Sequence, residues 1–394
     1  MKTKLFAGID VGKDKHRIVV KDENYKITES FEFKTDYNGF GKLERRIPVA
    51  AVIGLEATNE YDKPLVSFLR AKGYEVYVFN PRKTKNFAKI NHIATKTDKV
   101  DAKMLADFMV MGLHKTQMQA VNKYPEIKQL TRARLKLLND QNKYKQRVLN
   151  RLYVIFPEYE HLFSENFGVT FTRLLEKYTY PENFSSLDAE KLGKEMIKLS
   201  KGILREDRAE KIIAAAKKSI GIRNEVDGYI EEIRINLKYI QELEKDVKGL
   251  DRKIRERMMD VDQKLTTIKG INVSLAATII SEIGDIEKFK NRRALFNFTG
   301  MVPGIKQTGK YERNRNHMSK HGSKYLRTAI WQAAISCINH NKVFRMYFIK
   351  KHSIDKKQKM TAVGAVCRKL TYQIYRIMKY DEGFDMEKAV QVSI

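Results

Sequence analysis

Lys4-Leu-Phe-Ala-Gly-Ile-Asp-Val-Gly-Lys-Asp-Lys-His16 is the stretch on which the fold turns. Its apolar run carries one acid, Asp10, before Gly12 turns the chain. Residues 16–22 (HRIVVKD) resume as a strand, and 26–33 (KITESFEF) alternate like the next one. The pattern predicts strands joined by a tight turn, with a carboxylate on the first. Alone, it reads equally well as a strand that ends in a turn acid. The meaning of Asp10 therefore depends on where other carboxylates fall.

The 394 residues suffice for two or three domains with a sizeable core. Lys and Arg number 76 against 48 acids, a net charge of +28. Such an excess repels itself unless a polyanion neutralises it. That points to nucleic acid, with binding that weakens steeply in salt. An anionic membrane surface is the rival partner. However, no apolar run approaches the length that spans a bilayer, and the start lacks a signal-peptide pattern. Cys337 and Cys367 lie in helical apolar settings without CxxC spacing. This disfavours a zinc site or a disulfide framework and suits a reducing cytoplasm.

Residues 1–112 alternate strand and helix. A short helix is expected at 38–46 and a buried strand at Ala50-Ala-Val-Ile-Gly-Leu-Glu56, which also finishes on an acid. Residues 61–72 have helical spacing, and Tyr74–Phe79 reads as a strand closed by Asn80-Pro81. A basic segment follows, with Arg82, Lys83, Lys85, Lys89, His92 and Lys96. Thr97 can cap a helix whose first turn holds Asp98 and Asp101 on one face. In 126–260 strand signals vanish. Val226, Ile230, Ile233, Leu237, Ile240, Leu243, Val247, Leu250 and Ile254 form a heptad-like stripe, with Leu130, Leu135, Leu138, Val148 and Leu152 on a partner helix. Two long antiparallel helices with a helical tip are expected, an arm that dimerises the protein or merely stiffens it. In 261–394, Leu265–Gly284 reads as helix, glycine turn, helix. That is either a helix–hairpin–helix offering N–H groups to a phosphate or an ordinary helical hairpin. A polar segment, Gly300–His317, contains Thr308-Gly309. Basic helical patterns fill the rest.

Asp10, Glu56, Asp98 and Asp101 mean more together than singly. Carboxylates gathered at one sheet edge can hold two divalent ions for phosphodiester chemistry, and hard oxygen donors select Mg²⁺ or Mn²⁺. Ribonuclease-H-like nucleases begin with strands of this kind, and so do sugar kinases and actin-like ATPases. The kinase-like rival predicts a second glycine-rich phosphate turn and an adenosine-binding Gly-Gly segment. Neither occurs, and 126–260 is the wrong kind of segment for it.

Gly8-Ile-Asp10-Val-Gly, Gly54-Leu-Glu56-Ala-Thr and Thr97-Asp98-Lys-Val-Asp101-Ala resemble the DEDD insertion-sequence transposases. That family includes the Piv-type DNA invertases and the bridge-RNA-guided recombinases. Ile268-Lys-Gly-Ile, Phe298-Thr-Gly-Met-Val-Pro303, Gln307-Thr-Gly309 and Ser319-Lys-His-Gly322-Ser-Lys-Tyr-Leu-Arg327 extend the resemblance over nearly the whole chain. It implies a RuvC-like α/β domain (1–125), a helical coiled-coil arm (126–260) and a mainly α C-terminal transposase domain (261–394). It implies a metal-binding tetrad of Asp10, Glu56, Asp98 and Asp101. It implies a C-terminal hydroxyl nucleophile that holds DNA covalently, a structured guide RNA, and a homodimer or tetramer in a prokaryotic cytoplasm. A guided enzyme reads backbone shape and charge while base pairing reads sequence, which suits a +28 chain.

One departure stands out. The family usually places serine where this chain has Thr308. Threonine has the same kind of hydroxyl, but its methyl stiffens χ1 and crowds attack. Thr308 is then the nucleophile, a weakening substitution, or a bystander to Tyr311 or Ser319. Lys310, Arg313, Arg315, Lys320, Lys324 and Arg327 read as phosphate contacts, Arg313 and Arg327 being suited to bidentate binding. Lys83, Lys85, Lys89 and Lys96 read as nucleic-acid contacts near the acids. His16 and His92 read as surface or hydrogen-bonded residues, and Trp331 as core. The resulting reading is a Mg²⁺-dependent DNA recombinase. Its rivals are a Holliday-junction or repair nuclease using water, and a nucleic-acid binder whose catalysis has decayed.

Overall fold

Phe6–Val11 (β1), Lys15–Lys21 (β2) and Ile27–Lys34 (β3) form the antiparallel part of a five-stranded sheet. The computed structural model that shows this describes residues 4–58, 60–92, 97–116, 123–202, 207–304, 307–308, 311–312 and 318–391. The chain divides into two units, Met1–Val121 and Asn122–Ile394. In the first, Asp36 caps α1 (Tyr37–Arg46), its Oδ1 accepting from the Gly39 amide at 2.7 Å. Then come β4 (Val52–Glu56), α2 (Asp62–Ala71), β5 (Glu75–Phe79), α3 (Pro81–Ile90) and α4 (Asp98–Val110). The strand order is β3-β2-β1-β4-β5, with β1, β4 and β5 parallel. This mixed sheet, followed in the chain by a mostly helical unit, fits a DEDD nuclease-like fold.

The period of two sorts the strands cleanly. Ala7, Ile9, Val11, Ile53, Leu55 and Val76 pack under α1 and α2. Phe6, Val52 and Phe79 face α3 and α4, against Phe87, Leu105 and Phe108. The expected strands and helices of this unit form at their places, with one omission. The basic segment after Asn80-Pro81 is itself helical, as α3. Asn80 Oδ1 accepts from the Arg82 amide at 3.0 Å, and Pro81 occupies the first turn, a helix-start signature that the reading took for a strand end.

His16 is not a surface residue. It is 1% exposed beside Phe33 and Phe40, with Nε2 3.0 Å from Thr35 Oγ1. Burial lowers its pKa to about 4. The folded ring therefore stays neutral while the unfolded one protonates below about pH 6.5. The stability this contributes is complete above the unfolded value and is lost as pH falls toward 4. The loss is at most about 3 kcal/mol, and less to the extent that water reaches the ring. Urea titrations of the native chain should show this acid-side decline, and His16→Phe should flatten it.

The second unit opens with α5 (Pro125–Ile155), then α6 (Val169–Tyr178), α7 (Pro181–Ser185), α8 (Ala189–Leu199), α9 (Asp207–Lys217) and α10 (Asp227–Met258). α5 and α10 run antiparallel. Arg134 pairs with Asp251 at 2.8 Å, Gln141 Nε2 donates to the Ile240 carbonyl at 3.3 Å, and Arg151 pairs with Glu232 at 2.6 Å. Val148, Leu152, Ile233 and Leu237 join α6, α8 and α9 in one core. A second core begins with Ile127 and Ile254 and is filled by α11 (Val273–Ile283), α12 (Arg292–Thr299), α13 (Lys324–His340) and α15 (Lys359–Tyr380). The short strands β6 (Gln307–Thr308) and β7 (Tyr311–Glu312) precede α13, α14 (Lys342–Ile349) lies between α13 and α15 in the chain, and α16 is Met386–Gln391.

The helix expected before Gly270 is only a 3-10 turn, Leu265–Thr267. Gly270 adopts φ +108°, and a Cβ there would stand 2.8 Å from the Cys337 backbone. Its glycine is thus accounted for by close packing on α13. Trp331 is half-buried on α13 and lines a cavity, so it is not simply core. Cys337 and Cys367 are free and buried, and burial pushes both thiols up to about 12. Among the described residues no helix is long and apolar enough to cross a membrane.

Candidate functional site

Strand register decides where the acids of the first unit stand. Gly8 pairs with Gly54 and Ile9 with Leu55 in the parallel β1–β4 ladder. The next positions, Asp10 and Glu56, are therefore neighbours at the carboxyl ends of adjacent strands. Both alternate with residues that pack under α1 and α2, so both take the α4 face. Each is half-buried.

α4 is pressed onto that face. A Cβ at Gly8 would lie 2.2 Å from the Ala102 carbonyl oxygen and 2.3 Å from the Ala106 amide. The helix direction follows from its two ends. Near its C-terminus, Asp107 pairs with Lys21, which is opposite Phe6 at the start of β1. Its N-terminus therefore points toward the end of β1 that carries Asp10. Thr97 caps it there, Oγ1 accepting from the Val100 amide at 3.2 Å. Asp98, exposed, and Asp101, half-buried, occupy the first turn. Backbone placement thus brings all four predicted acids to one end of the sheet.

Four carboxylates are hard oxygen donors and suit Mg²⁺ or Mn²⁺ by type. Their side chains are not drawn into a closed cage. Among the described residues no three His, Cys, Asp or Glu side chains stand close enough to hold an ion. Glu56 is instead oriented by α3, since Thr84 Oγ1 donates to its Oε2 at 2.5 Å. Thr84 is 1% exposed. The sequence reading missed it, and the helix start at Asn80-Pro81 is the signal that would have placed it. Arg17 is the cross-strand partner of Asp10, and its Nη2 donates to Ser30 Oγ at 3.0 Å. Lys83, Lys85 and Lys89 are exposed on α3, His92 is exposed just past it, and Lys96 lies outside the described residues.

In the second unit Thr308 pairs with Tyr311 across the β6–β7 hairpin. Gly309 and Lys310 at its tip, and Arg313 and Arg315 beyond it, lie outside the described residues. The feet of this segment are held firmly. Pro303 bridges Met318, and the Ser319 and Lys320 amides donate to the Val302 and Gly300 carbonyls at 2.8 and 2.9 Å. Ser319 Oγ donates to the Gly300 carbonyl at 3.3 Å, and Arg327 Nη1 to that of Thr299 at 3.3 Å. Arg327 thus secures the loop with at least one donor. Lys320 and Lys324 are exposed.

A buried carboxylate that the sequence did not reveal ties this unit together. Glu282 on α11 accepts from Arg132 Nε and Nη2 at 2.5 and 3.0 Å and from Ser323 Oγ at 2.9 Å. Ser323 is also the cap of α13, accepting from the Leu326 amide at 3.2 Å. Arg132→Ala strips the bidentate partner from a carboxylate whose side chain is 1% exposed. It should cost about 3 kcal/mol in a denaturant titration, and Glu282→Gln in the same chain should recover part of that loss.

A mixed sheet with carboxylates at one end, followed in the chain by a mostly helical unit, fits the class of DEDD nuclease-like proteins. Comparison of the sequence with known proteins narrows it. Residues 7–157 match the IS110-type DEDD transposase model, and residues 262–348 match the model described as "Transposase IS116/IS110/IS902 family". The chain is 22% identical over 386 residues to the transposase for insertion sequence element IS1111A of Coxiella burnetii, covering 98% of this chain and 92% of that protein. It is 26% identical over 121 residues to the pilin gene-inverting protein of Moraxella bovis, covering 31% of this chain and 38% of that one. With both domains present in order, the chain belongs to the IS110 transposase family.

Proposed function

We propose that this chain cuts and rejoins DNA with the tetrad Asp10, Glu56, Asp98 and Asp101 and with Thr308 as nucleophile, guided by a structured noncoding RNA. The convergence of the four acids at one end of the sheet carries this reading. When bound there, Mg²⁺ would supply Lewis-acid stabilisation of a reacting phosphate. The Thr308 hydroxyl loses its proton as its oxygen bonds to phosphorus. The DNA oxygen that leaves takes up a proton. A hydroxyl of the second DNA then reverses the exchange, which restores Thr308 and joins the new strand. One phosphoester replaces another at each step, so no external energy source is needed.

The long α5–α10 pair suits a coiled-coil arm that brings two protomers together, and the protein works as a homodimer or tetramer. The exposed Lys83, Lys85, Lys89, Lys320 and Lys324 are phosphate contacts. The test is a joining assay with element-end DNA, target DNA, RNA transcribed from the element flank, and Mg²⁺. Joined products that vanish without RNA or with EDTA are expected. Nicked DNA alone, formed equally without RNA, would assign the chain to the water-using nucleases instead.

A further inference from the structure

Two adjoining cavities lie in the second unit outside the acid site. The first, about 490 Å³, has an aromatic and sulfur lining of Phe296, Met301, Trp331 and Tyr347, with Lys351, Lys357 and Arg368 among its residues. The second, about 480 Å³, is strongly basic, with Arg292, Arg293 and again Arg368. They share Phe296, Pro303 and Arg368. Arg292 holds its guanidinium 4.8 Å over the Tyr372 ring at the second cavity's wall. An apolar slot with flat rings next to a cluster of arginines has the chemistry of one nucleotide: a base to stack and a phosphate to neutralise.

A second observation supports an occupant. Gly364 lines the first cavity from the interior of α15, and a Cβ built there meets no described atom within 4 Å. Glycine is a poor helix former. Here its missing side chain leaves the cavity open.

We propose that the two cavities together bind one unstacked nucleotide of a DNA strand, with its base against Trp331 and Phe296 and its phosphate among Arg292, Arg293 and Arg368. The choice of DNA rests on the reading of Thr308 as nucleophile. Pro303 and Met318, which line the first cavity, are the paired feet of the segment that carries Thr308. We therefore place that nucleotide in the strand on which Thr308 acts. Fixing it would set which phosphodiester bond is presented.

Trp331 is the only tryptophan of the chain, so its fluorescence reports on this cavity alone. The full-length protein is titrated with a short single-stranded DNA, with the same length of abasic DNA, and with RNA of the same base sequence. The base-bearing DNA should quench saturably, while abasic DNA binds by anisotropy without quenching. Gly364→Leu, which fills the cavity, should abolish quenching without lowering the melting temperature. Arg368→Gln, at an exposed position, should weaken the quenching titration about 5- to 100-fold. Equal quenching by abasic DNA, or unchanged quenching in Gly364→Leu, would refute the site. RNA quenching at tenfold lower concentration than DNA would assign it to RNA. Thr308→Val should keep the quenching whether or not strand exchange survives, so failure of the nucleophile reading and failure of this one are told apart.

Discussion

Glu56→Gln should reduce DNA cleavage and joining at least about 10³-fold, because in the proposed tetrad it removes one of the four carboxylates that would hold Mg²⁺. Its effect on stability should be small. The glutamine carbonyl can still accept the hydrogen bond that Thr84 Oγ1 donates to Glu56 Oε2. Glu56→Ala should lose the same chemistry at little further cost in stability, because Thr84 Oγ1 can still donate to the Pro81 carbonyl at 3.0 Å. Asp10→Asn and Asp98→Asn should match Glu56→Gln in rate. All of these variants should bind DNA within a few-fold of the native chain at equal salt, since the lysines and arginines proposed as phosphate contacts are untouched. Single-turnover cleavage with anisotropy in parallel would measure both quantities. A Glu56→Gln protein that cleaves at the native rate would remove Glu56 from the chemistry.

Gly8→Ala should be among the most damaging single methyl groups the chain can receive. Overpacking normally costs about 1–3 kcal/mol, because side chains can turn aside. Here the added Cβ would meet the Ala102 carbonyl oxygen at 2.2 Å and the Ala106 amide at 2.3 Å, and both are backbone atoms of α4. Relief requires the whole helix to lift off β1. The cost should therefore reach or exceed the top of that range, and activity should fall with it, since Asp98 and Asp101 ride on α4. Gly54→Ala is the built-in comparison. Its Cβ would also be crowded, at 2.6 Å, but by Met109 Sδ and the Phe79 ring. The flexible Met109 side chain can move, so the loss should be smaller. Urea midpoints of the two variants decide the matter. Equal midpoints would mean that α4 is not clamped on β1 as described.

The sheet was legible because β1 and β4 are short, nearly uninterrupted apolar runs, each broken only by an acid at Asp10 and at Glu56, and 26–33 alternates. The cap at Thr97 was legible too, since capping is a local hydrogen bond. What could not be read is long-range. Nothing in the spacing says that α4 runs against β1, yet this direction is what brings Asp98 and Asp101 to the end where Asp10 and Glu56 stand. Thr84 and Glu56 are 28 residues apart, and Arg132 and Glu282 are 150 apart. No periodicity connects such partners. α3 was hidden because only Thr84 and Phe87 of its ten residues are buried, too faint a stripe among lysines. The spacing around Gly270 left a phosphate turn and an ordinary helical hairpin equally open, and the close approach of Gly270 to the Cys337 backbone is a packing requirement that becomes visible only in three dimensions.

In the proposed chemistry the hydroxyl of Thr308 takes DNA into a covalent bond. It is tested most directly by a denaturing gel of the full-length protein incubated with labelled element-end DNA, flanking RNA and Mg²⁺. A protein-linked DNA band is expected, absent from Thr308→Val and retained or increased in Thr308→Ser, whose hydroxyl attacks without the crowding methyl. Cleaved DNA with no linked protein, formed equally by Thr308→Val, would contradict it.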